Sequence, residues 1–375
     1  MMVSQGATQR VLCIFTEVFA NGGIQRFNHT MLDACGNLSI NCRVLSLNDT
    51  PVSIANHPGR SHLEIMGFSG HRRRFAIAMA GALLRRRYDR VLVGHINLLV
   101  LATAILRLHP FHRAPMMLIA HGIEVWNGIG RLRRHALSRT DRVLCVSRYT
   151  RQRLLEQAPE LIGRLIIFPN ALADTWGRVT PVPFISALPA RFILSVTRLD
   201  RGDRYKGIAT VIEAFSMLSD DSMQYFVIGQ GNDLPFLQLV AERCEVTDRV
   251  HFMRGISDSE LITLYQKCQA FVLPSGKEGF GIVFLEAMFF GAPIVAAQEK
   301  GAMDVVRDGD TGLSVRFGDT IAIKEAIERI GSDSALREHL RANGRSLVVD
   351  GGPFTFARFT QRCSQVFELD ETAAA

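Results

Sequence analysis

Short apolar segments of strand length alternate with helix-forming segments along almost the whole chain. In the first half these apolar segments are Val11–Phe15, Val44–Leu47, Leu63–Met66, Val91–Val93, Met116–Ala120, Val143–Val146 and Leu165–Phe168. Helices are predicted between them, including Gln25–Ala34, Arg72–Arg86, Leu98–Leu108 and Tyr149–Gln157. Because parallel strands need crossover connections of helical length, the alternation predicts a parallel sheet with helices on both faces.

The alternation stops at residues 173–190, which are rich in proline, and then starts again. Further strands are predicted at Phe192–Val196, Tyr225–Ile228, Val250–Phe252, Ala270–Leu273 and Ile294–Ala297. Further helices are predicted at Gly207–Leu218, Leu234–Cys244, Asp258–Gln266, Phe280–Phe289 and Ile321–Ile330. We therefore predict an α/β chain with two Rossmann-like domains, at 1–172 and 191–352, joined by a linker at 173–190. Residues 353–375 are predicted to form a C-terminal helix that packs back on the first domain.

Charge is distributed unevenly between the two predicted domains. The 43 basic and 36 acidic residues give a formal net charge of +7, which suggests an anionic partner. Residues 1–187 carry 23 arginines, no lysine and 10 acidic residues, or +13, which leaves −6 for residues 188–375. This asymmetry predicts that the domains meet different neighbours. With 47% apolar residues the chain can bury a large core, which excludes wholesale disorder.

Cysteine usage and hydropathy bear on the compartment. The 7 cysteines include no C-x-x-C pair and most lie in apolar surroundings, so we expect buried thiols in a reducing compartment and no zinc site. The most apolar stretch, Leu98–Leu106, is much shorter than the about 20 residues that a spanning helix needs. The first ten residues lack the apolar core of a signal peptide. We expect a cytoplasmic protein that does not cross a membrane.

Loops at the carboxyl ends of the strands are the candidates for a binding site in such folds. Gly22 and Gly23 follow the first strand and open a helix, so their N–H groups can face an anion, although a plain strand-to-helix turn has the same pattern. Arg198 and Lys206 follow the first strand of the second domain, and Gly207 opens the next helix. Two cations beside a helix N-terminus suit a diphosphate, although a solvated charged loop would also contain them.

Two carboxylates lie eight residues apart, at Glu278 and Glu286, where a buried strand leads into an apolar helix. We expect Glu278 in the loop over the site and Glu286 about two turns into the helix. Gly279 and Gly281 allow backbone amides to approach a ligand closely. A carboxylate within an apolar helix is costly to bury without a partner, which a ligand hydroxyl or an arginine would supply.

Three other patterns are less specific. His121 ends a strand, where it can bind a sugar hydroxyl or a carbonyl group or be purely structural. Asp308 and Asp310 spell D-x-D, which can hold a divalent cation, but their neighbours predict a turn between a helix and a strand. The glycines of GQG at 229–231 are followed by Leu234 where a dinucleotide fingerprint has its third glycine, which argues against a dehydrogenase.

Taken in order, these segments resemble the GT-B glycosyltransferases of family 4. The segment at 274–296, PSGKEGFGIVFLEAMFFGAPIVA, is similar to the family's Glu-x7-Glu region. The same template is matched by RLDRGDRYKG at 198–207, FVIGQGND at 226–233, FPNAL at 168–172 and GAMDVVRDGDTGLSV at 301–315, with GG at 22–23 and HG at 121–122. Such an ordered set over nearly the whole chain is specific, and it implies two Rossmann-like domains that face each other across a cleft.

The resemblance also implies residue roles. Arg198 and Lys206 would hold the donor diphosphate and stabilise the charge that develops on it as the glycosidic bond breaks. Glu278 would bind donor-sugar hydroxyls, Glu286 would accept hydrogen bonds from the ribose, and His121 would contact the transferring sugar. The other donor-binding positions are Gly22, Gly23, Gly279, Phe280, Gly281 and Ile282, with Gly255 and Ile256 where the family places the nucleobase. The segment from Arg198 to Lys206 is longer than in the shortest family members.

The chemistry implied by the resemblance is a retaining transfer that needs no metal ion or other cofactor. The acceptor hydroxyl attacks from the front face, assisted by the departing phosphate, so no side-chain nucleophile is assigned. The donor would be a nucleoside diphosphate hexose, of the UDP-glucose type by preference and of the GDP-mannose type as the alternative. The acceptor would be a hydroxyl of a glycan or a lipid-linked glycan in exopolysaccharide or related polysaccharide biosynthesis.

The arginine-rich first domain would face the acceptor in this fold. Arg72–Arg74 precede an apolar helical segment that ends at Arg85–Arg87, so the helix either rests on anionic lipid or is a core helix with arginine ends. We expect peripheral contact with the cytoplasmic face of a membrane.

Two other classes of function remain open. A sugar-nucleotide 2-epimerase shares the architecture but gives no reason for the two glutamates. A nucleic-acid-binding protein would use the arginines, but with 5 Tyr and 2 Trp the chain offers no stacking platform.

Overall fold

The computed structural model describes residues 9–20, 22–55, 63–85, 87–107, 114–173, 176–177, 179–180, 182, 188–349 and 351–368. The chain divides into two compact units. Unit 1 comprises Met1–Ala173 and Phe356–Ala375, and unit 2 comprises Asp174–Thr355. Asn21, Arg86, much of the predicted linker and both chain ends lie outside the described residues.

Unit 1 is built on a seven-stranded parallel sheet. Its strands are β1 (Arg10–Phe15), β2 (Asn41–Ser46), β3 (Leu63–Gly67), β4 (Arg90–Val93), β5 (Met116–Ala120), β6 (Arg142–Cys145) and β7 (Leu165–Ile167), in the spatial order β3-β2-β1-β4-β5-β6-β7. Every residue of β5 is buried, as expected for a strand that helices cover on both faces. The strand order reverses between β1 and β4, and this is the point where α/β sheets bind ligands.

Unit 2 is built on a six-stranded parallel sheet. Its strands are β8 (Phe192–Val196), β9 (Gln224–Ile228), β10 (Val250–Met253), β11 (Ala270–Leu273), β12 (Ile294–Ala297) and β13 (Leu313–Val315), in the spatial order β10-β9-β8-β11-β12-β13. Its order reverses between β8 and β11, so the loops that follow these two strands are the expected place for a ligand.

Helices connect the strands in both units. They are α1 (Gly23–Asn37), α2 (Pro51–Ala55), α3 (Arg72–Leu84), α4 (Ile96–Leu106), α5 (Ile123–Trp126), α6 (Arg131–Ser138), α7 (Arg148–Gln157), α8 (Ile208–Ser216), α9 (Leu234–Arg243), α10 (Asp258–Lys267), α11 (Ile282–Phe289), α12 (Thr320–Ser332), α13 (Ser334–Ser346) and α14 (Phe356–Val366). Short 3-10 helices lie at Pro159–Leu161, Arg201–Lys206 and Lys300–Asp304. Ser257 and Glu260 form a capping box that fixes where α10 begins.

The C-terminal helix α14 is part of unit 1. It packs on α1, where the ring of Phe359 lies 5.5 Å from that of Phe27 and 5.0 Å from that of Phe168. All three rings are buried, so α14 completes the core on the α1 face of the sheet.

The predicted α/β architecture of two parallel-sheet units is confirmed, and each predicted strand is present. Several helix bounds differ from the prediction by up to three residues, and the difference that bears on the site is at α11, which begins at Ile282 and not at Phe280. Gly281 has a φ of +89°, a left-handed conformation that ends the preceding loop and cannot be part of a helix. No helix among the described residues has both the length and the apolar character that crossing a bilayer requires.

Candidate active site

Two loops of unit 2 meet beyond the carboxyl ends of the neighbouring strands β8 and β11. The first runs from Arg198 through the 3-10 helix Arg201–Lys206, and the second covers residues 274–281. The N–H of Gly276 donates to the carbonyl of Tyr205 at 2.8 Å. Gly207 has a φ of +80°, and a Cβ there would lie 2.8 Å from the carbonyl oxygen of Pro274. The loops are therefore in direct backbone contact, and glycine is required where they approach.

Lys206 and Glu278, which the sequence assigns to the donor site, are brought together by this contact. The Nζ of Lys206 donates to Oε2 of Glu278 at 2.8 Å. Their side chains are only 17% and 14% exposed. Burial makes an isolated charge costly, so each of these groups offsets the desolvation of the other. The site thus holds a cation and a carboxylate one hydrogen bond apart.

Arg198 points into solvent beside the same 3-10 helix. One terminal nitrogen of its guanidinium lies 3.2 Å from Oδ2 of Asp203, and its side chain is 64% exposed. Asp203 also accepts a hydrogen bond from the phenol of Tyr205, whose pKa is raised by burial and by the Asp203 carboxylate. Arg198 is therefore tethered at one nitrogen, while most of its donor edge faces outward.

In the segment that leads into α11, the backbone and the side chains have different surroundings. Phe280 is buried, and its ring packs 5.3 Å from that of Phe354, so only its backbone belongs to the loop. Ile282 is the first residue of α11 and is half-buried. Glu286 is 2% exposed and lies about one turn into the helix, and not two turns as expected, because the helix starts later.

A third segment supports the 274–281 loop from the β12 side. The N–H of Gly301 donates to the carbonyl of Glu278 at 3.0 Å, and Nζ of Lys300 donates to the carbonyl of Gly276. A Cβ on Gly301 would lie 1.9 Å from the carbonyl oxygen of Gly279. This close approach fixes the backbone that carries Glu278 and Gly279.

Gly255 and Ile256, assigned to the nucleobase, lie apart from this group. They follow β10, which β9 separates from β8. Gly255 is exposed with a φ of +70°, and Ile256 is half-buried.

The glycine loop of unit 1 is anchored by a carboxylate that carries no sequence-based assignment. Gly22 and Gly23 follow β1 and begin α1. The N–H groups of Val18 and Phe19, which precede the glycines in the chain, donate to Asp49 at 2.7 and 3.0 Å. Asp49 is 3% exposed, so this buried carboxylate fixes the backbone that leads to the glycines.

His121 lies at the carboxyl end of β5 in unit 1. It is 9% exposed, and its ring packs edge-on against Phe27 of α1 at 5.2 Å. Burial, with a smaller effect from His95, lowers its pKa to about 3, and a hydrogen bond to the carbonyl of Gly94 opposes this shift. Its Nε2 has no hydrogen-bond partner among the described residues. The ring is therefore neutral near pH 7 and can offer Nε2 as an acceptor.

Both aspartates of the D-x-D pattern form hydrogen bonds within unit 2. Asp308 accepts from the N–H of Ser314 at 2.8 Å, and Asp310 accepts from Nδ2 of Asn343 at 2.7 Å. The described residues contain no group of three or more His, Cys, Asp or Glu side chains arranged to hold a metal ion.

Two acidic residues at the site escape sequence reasoning, Asp203 and Asp233. Asp203 is one of several charges in an exposed-looking segment, and Asp233 reads as an ordinary residue before a helix. Asp233 in fact forms a two-bond ion pair with Arg204, at 2.8 and 2.7 Å. The one sequence signal that could have pointed to these two residues is that they are acidic and lie within motifs whose other residues suit an anion.

Two protein-family models match this chain. The model described as Glycosyltransferase Family 4 matches residues 21–172, and the model described as Glycosyl transferases group 1 matches residues 186–347. Together the two matches include most of the chain.

Individual glycosyltransferases are also similar to this chain. The capsular polysaccharide biosynthesis glycosyltransferase CapM of Staphylococcus aureus is 41% identical over 90 residues, which is 24% of either chain. The GDP-mannose-dependent alpha-(1-6)-phosphatidylinositol monomannoside mannosyltransferase of Mycobacterium tuberculosis (strain CDC 1551 / Oshkosh) is 30% identical over 246 residues, 61% of this chain and 63% of the relative. The matches thus span less than two thirds of these relatives. The structure of Anabaena Alr3699/HepE in complex with UDP and glucose has a TM-score of 0.76 at 16% identity, covers 96% of this chain and 100% of that chain, and shows the same fold.

Proposed function

This chain belongs to glycosyltransferase family 4, and from that membership we propose that it transfers a hexose from a nucleoside diphosphate sugar to a hydroxyl group of a glycan or lipid-linked acceptor. The Lys206–Glu278 pair carries the proposal. It places a cation suited to a diphosphate and a carboxylate suited to sugar hydroxyls 2.8 Å apart, at the switch point of a parallel sheet.

Arg198 and Lys206 are proposed to bind the diphosphate. When the bond between the sugar C1 and the phosphate oxygen breaks, the electron pair stays on the diphosphate, and nearby fixed cations stabilise that charge. Arg198 contacts Asp203 through one nitrogen only, which leaves its other N–H groups to a phosphate. These two side chains supply the positive charge that the reaction needs, so we propose transfer without a metal ion.

Glu278 is proposed to bind the sugar. Its Oε2 accepts from Lys206, so Oε1 remains to accept from a sugar hydroxyl. One residue then links the position of the sugar to that of the diphosphate. The backbone of Gly279, Phe280 and Gly281 and the first N–H groups of α11, starting at Ile282, add donors beside it.

The transfer step is proposed to retain the configuration at C1. The acceptor oxygen bonds to C1 on the face that the diphosphate leaves, and the acceptor proton passes to the departing phosphate. No side chain is given the role of nucleophile. An oxocarbenium-like sugar is stabilised by the adjacent phosphate negative charge.

The donor is proposed to be of the UDP-glucose or the GDP-mannose type. The mycobacterial relative is named for GDP-mannose, and the HepE structure holds UDP and glucose. Glu286, buried near the start of α11, is proposed to accept hydrogen bonds from the ribose, and Gly255 and Ile256 to contact the base. In unit 1 we propose that Gly22 and Gly23 contact phosphate and that the neutral His121 contacts the transferring sugar.

An anionic lipid surface is the proposed neighbour of unit 1. Helix α4 packs against both α3 and α6, so all three lie on one face of the sheet. Among the residues that face outward, Ile77 of α3 and Leu132 of α6 are 72% and 74% exposed. The exposed arginines on these two helices are Arg72, Arg73, Arg74, Arg131 and Arg134. Apolar side chains among arginines suit peripheral binding to anionic lipid on the cytoplasmic face.

Release of the nucleoside diphosphate, measured with and without acceptor, tests the proposed reaction. A transferase releases UDP or GDP in proportion to added lipid-linked or glycan acceptor, with only slow release in its absence. A 2-epimerase would invert C2 of the sugar within the sugar nucleotide, so it would show no net release of UDP or GDP with or without acceptor. Acceptor-independent release at full rate would overturn the proposal.

A further inference from the structure

Asp233 occupies a position that normally caps a helix, but its carboxylate has another partner. It is the residue before α9, where an aspartate usually accepts hydrogen bonds from the first N–H groups of its own helix. No side-chain hydrogen bond caps α9. Both carboxylate oxygens of Asp233 instead accept from Arg204, from Nε at 2.8 Å and from a terminal nitrogen at 2.7 Å.

The Arg204–Asp233 pair is built for fixed geometry. Asp233 is 3% exposed, whereas the Arg204 side chain is 51% exposed. The guanidinium also lies 3.9 Å from the ring centre of Phe236, on α9. Two parallel hydrogen bonds and a flat stacking surface allow one orientation of the arginine, which a single contact would not do.

The pair joins the 3-10 helix Arg201–Lys206 to the segment after β9. Asn232 adds two hydrogen bonds between the same two segments. Its Oδ1 accepts from the N–H of Arg201 at 2.9 Å, and its N–H donates to Asp200 at 3.1 Å. A Cβ on Gly231 would lie 2.1 Å from the backbone of Leu199, so the two chains are in contact along their backbones. The 3-10 helix is thus held on one side by the β9 loop.

Its other side carries the proposed donor-binding groups. Lys206 lies two residues after Arg204, which is less than one turn of a 3-10 helix. A rotation of this helix would move the Lys206 ammonium away from Glu278 and would also displace Asp203, the partner of Arg198.

We propose that Arg204 and Asp233 are positioning residues, which hold the 3-10 helix in the orientation that presents Lys206 to the donor diphosphate. The inference rests on the proposed function, and it assigns a task to the extra length of the Arg198–Lys206 segment. Neither residue touches the diphosphate in this account, and both act through Lys206.

Nucleotide binding by conservative variants tests the role. Arg204→Lys keeps the charge beside Asp233 but loses the second hydrogen bond and the stacking plane, and Asp233→Asn keeps one acceptor. We expect each to weaken binding of UDP or GDP about tenfold in calorimetry, with the thermal midpoint nearly unchanged. Arg307→Ala is the matched control, since Arg307 pairs with Asp310 at 3.6 Å near β13, at the opposite edge of the sheet from β9. It should bind like wild type.

A double-mutant cycle separates positioning from plain structural support. If Arg204 acts through Lys206, Arg204→Lys should add almost nothing to the loss caused by Lys206→Ala. Additive losses, or wild-type affinity in the folded fraction of Arg204→Lys and Asp233→Asn, would overturn the inference. Should Arg204→Lys fold poorly, Asp233→Asn serves the same cycle. Failure of wild-type protein to bind any nucleotide would instead overturn the proposed function, on which the inference depends.

Discussion

The ammonium of Lys206 and the carboxylate of Glu278 are 72 residues apart in sequence and 2.8 Å apart in space. They come from the loops after β8 and β11, the two strands between which the strand order of unit 2 reverses. Helices leave such a point toward opposite faces and open a crevice between the loops. The pair therefore joins the diphosphate-binding half of the proposed site to its sugar-binding half.

Removing the cation tests the diphosphate half. We expect Lys206→Ala to lower the turnover number about 100-fold or more, because a fixed positive group no longer stabilises the departing diphosphate. Lys324→Ala is the control, since Lys324 forms an ordinary helix-surface pair with Glu328 at 3.0 Å. Steady-state release of UDP or GDP measures both. Near-normal turnover by Lys206→Ala would remove this residue from the site.

Changing the carboxylate separates sugar binding from nucleotide binding. Glu278→Gln should weaken binding of the sugar nucleotide about tenfold, because the carboxylate no longer accepts from the sugar hydroxyl. Binding of the free nucleoside diphosphate should stay the same or tighten, since Lys206 loses its competing partner. Calorimetry with UDP and UDP-glucose, and with GDP and GDP-mannose, gives both affinities. Equal losses for nucleotide and sugar nucleotide would contradict the assigned role of Glu278.

The lowered pKa of His121 predicts that the protein loses stability in mild acid. Burial lowers its pKa from the ordinary 6.5 to about 3, so between these values only the unfolded chain takes up the proton. The free energy of unfolding should therefore fall as pH drops below about 6.5, by up to about 1.4 kcal/mol per pH unit, and be independent of this residue above it.

His121→Asn should lack that dependence. Between about pH 7.5 and about pH 5, the wild type should lose about 2 kcal/mol more than the variant in urea unfolding. His95, whose pKa burial also lowers, titrates in both proteins and largely cancels in the difference. Equal losses in the two proteins would show that His121 can take up a proton in the folded state.

The arginines at the start of α3 should govern attachment to anionic vesicles. Combining Arg72→Glu, Arg73→Glu and Arg74→Glu should abolish sedimentation with phosphatidylglycerol vesicles at low salt, because each exposed arginine contributes about 1 kcal/mol near such a surface. A control with the same charge change in unit 2, at the exposed residues Arg243, Arg307 and Arg316, should still bind. Loss of binding in both variants, or in neither, would contradict attachment through α3.

The strands followed from the sequence because they depend on local pattern. Strands such as Met116–Ala120 and Phe192–Val196 were predicted with their observed bounds, since a buried parallel strand is mostly apolar. The late start of α11 was missed because it depends on the left-handed conformation of Gly281, which composition does not specify.

Side-chain partners were the part that sequence reasoning missed. Arg198 and Lys206 read as two cations near an anion, but nothing local shows that Asp203 contacts the first and Glu278 the second. Asp233 reads as an ordinary residue before a helix, and only the packing of the β9 loop on the 3-10 helix brings its carboxylate to Arg204. Which of several possible partners a charged side chain contacts depends on distances that only the tertiary structure sets.

Thermal stabilisation by sugar nucleotides tests the central claim most directly. UDP-, GDP- and ADP-sugars should be compared on wild type and on Lys206→Ala, each near saturation. A ligand at about 100 times its dissociation constant adds about 2.7 kcal/mol of stability. We predict that a UDP-sugar or a GDP-sugar raises the melting temperature of the wild type by several degrees, and that Lys206→Ala loses most of this shift. No shift with any sugar nucleotide, or an equal shift in the variant, would contradict the proposal that Lys206 and Glu278 form a donor site.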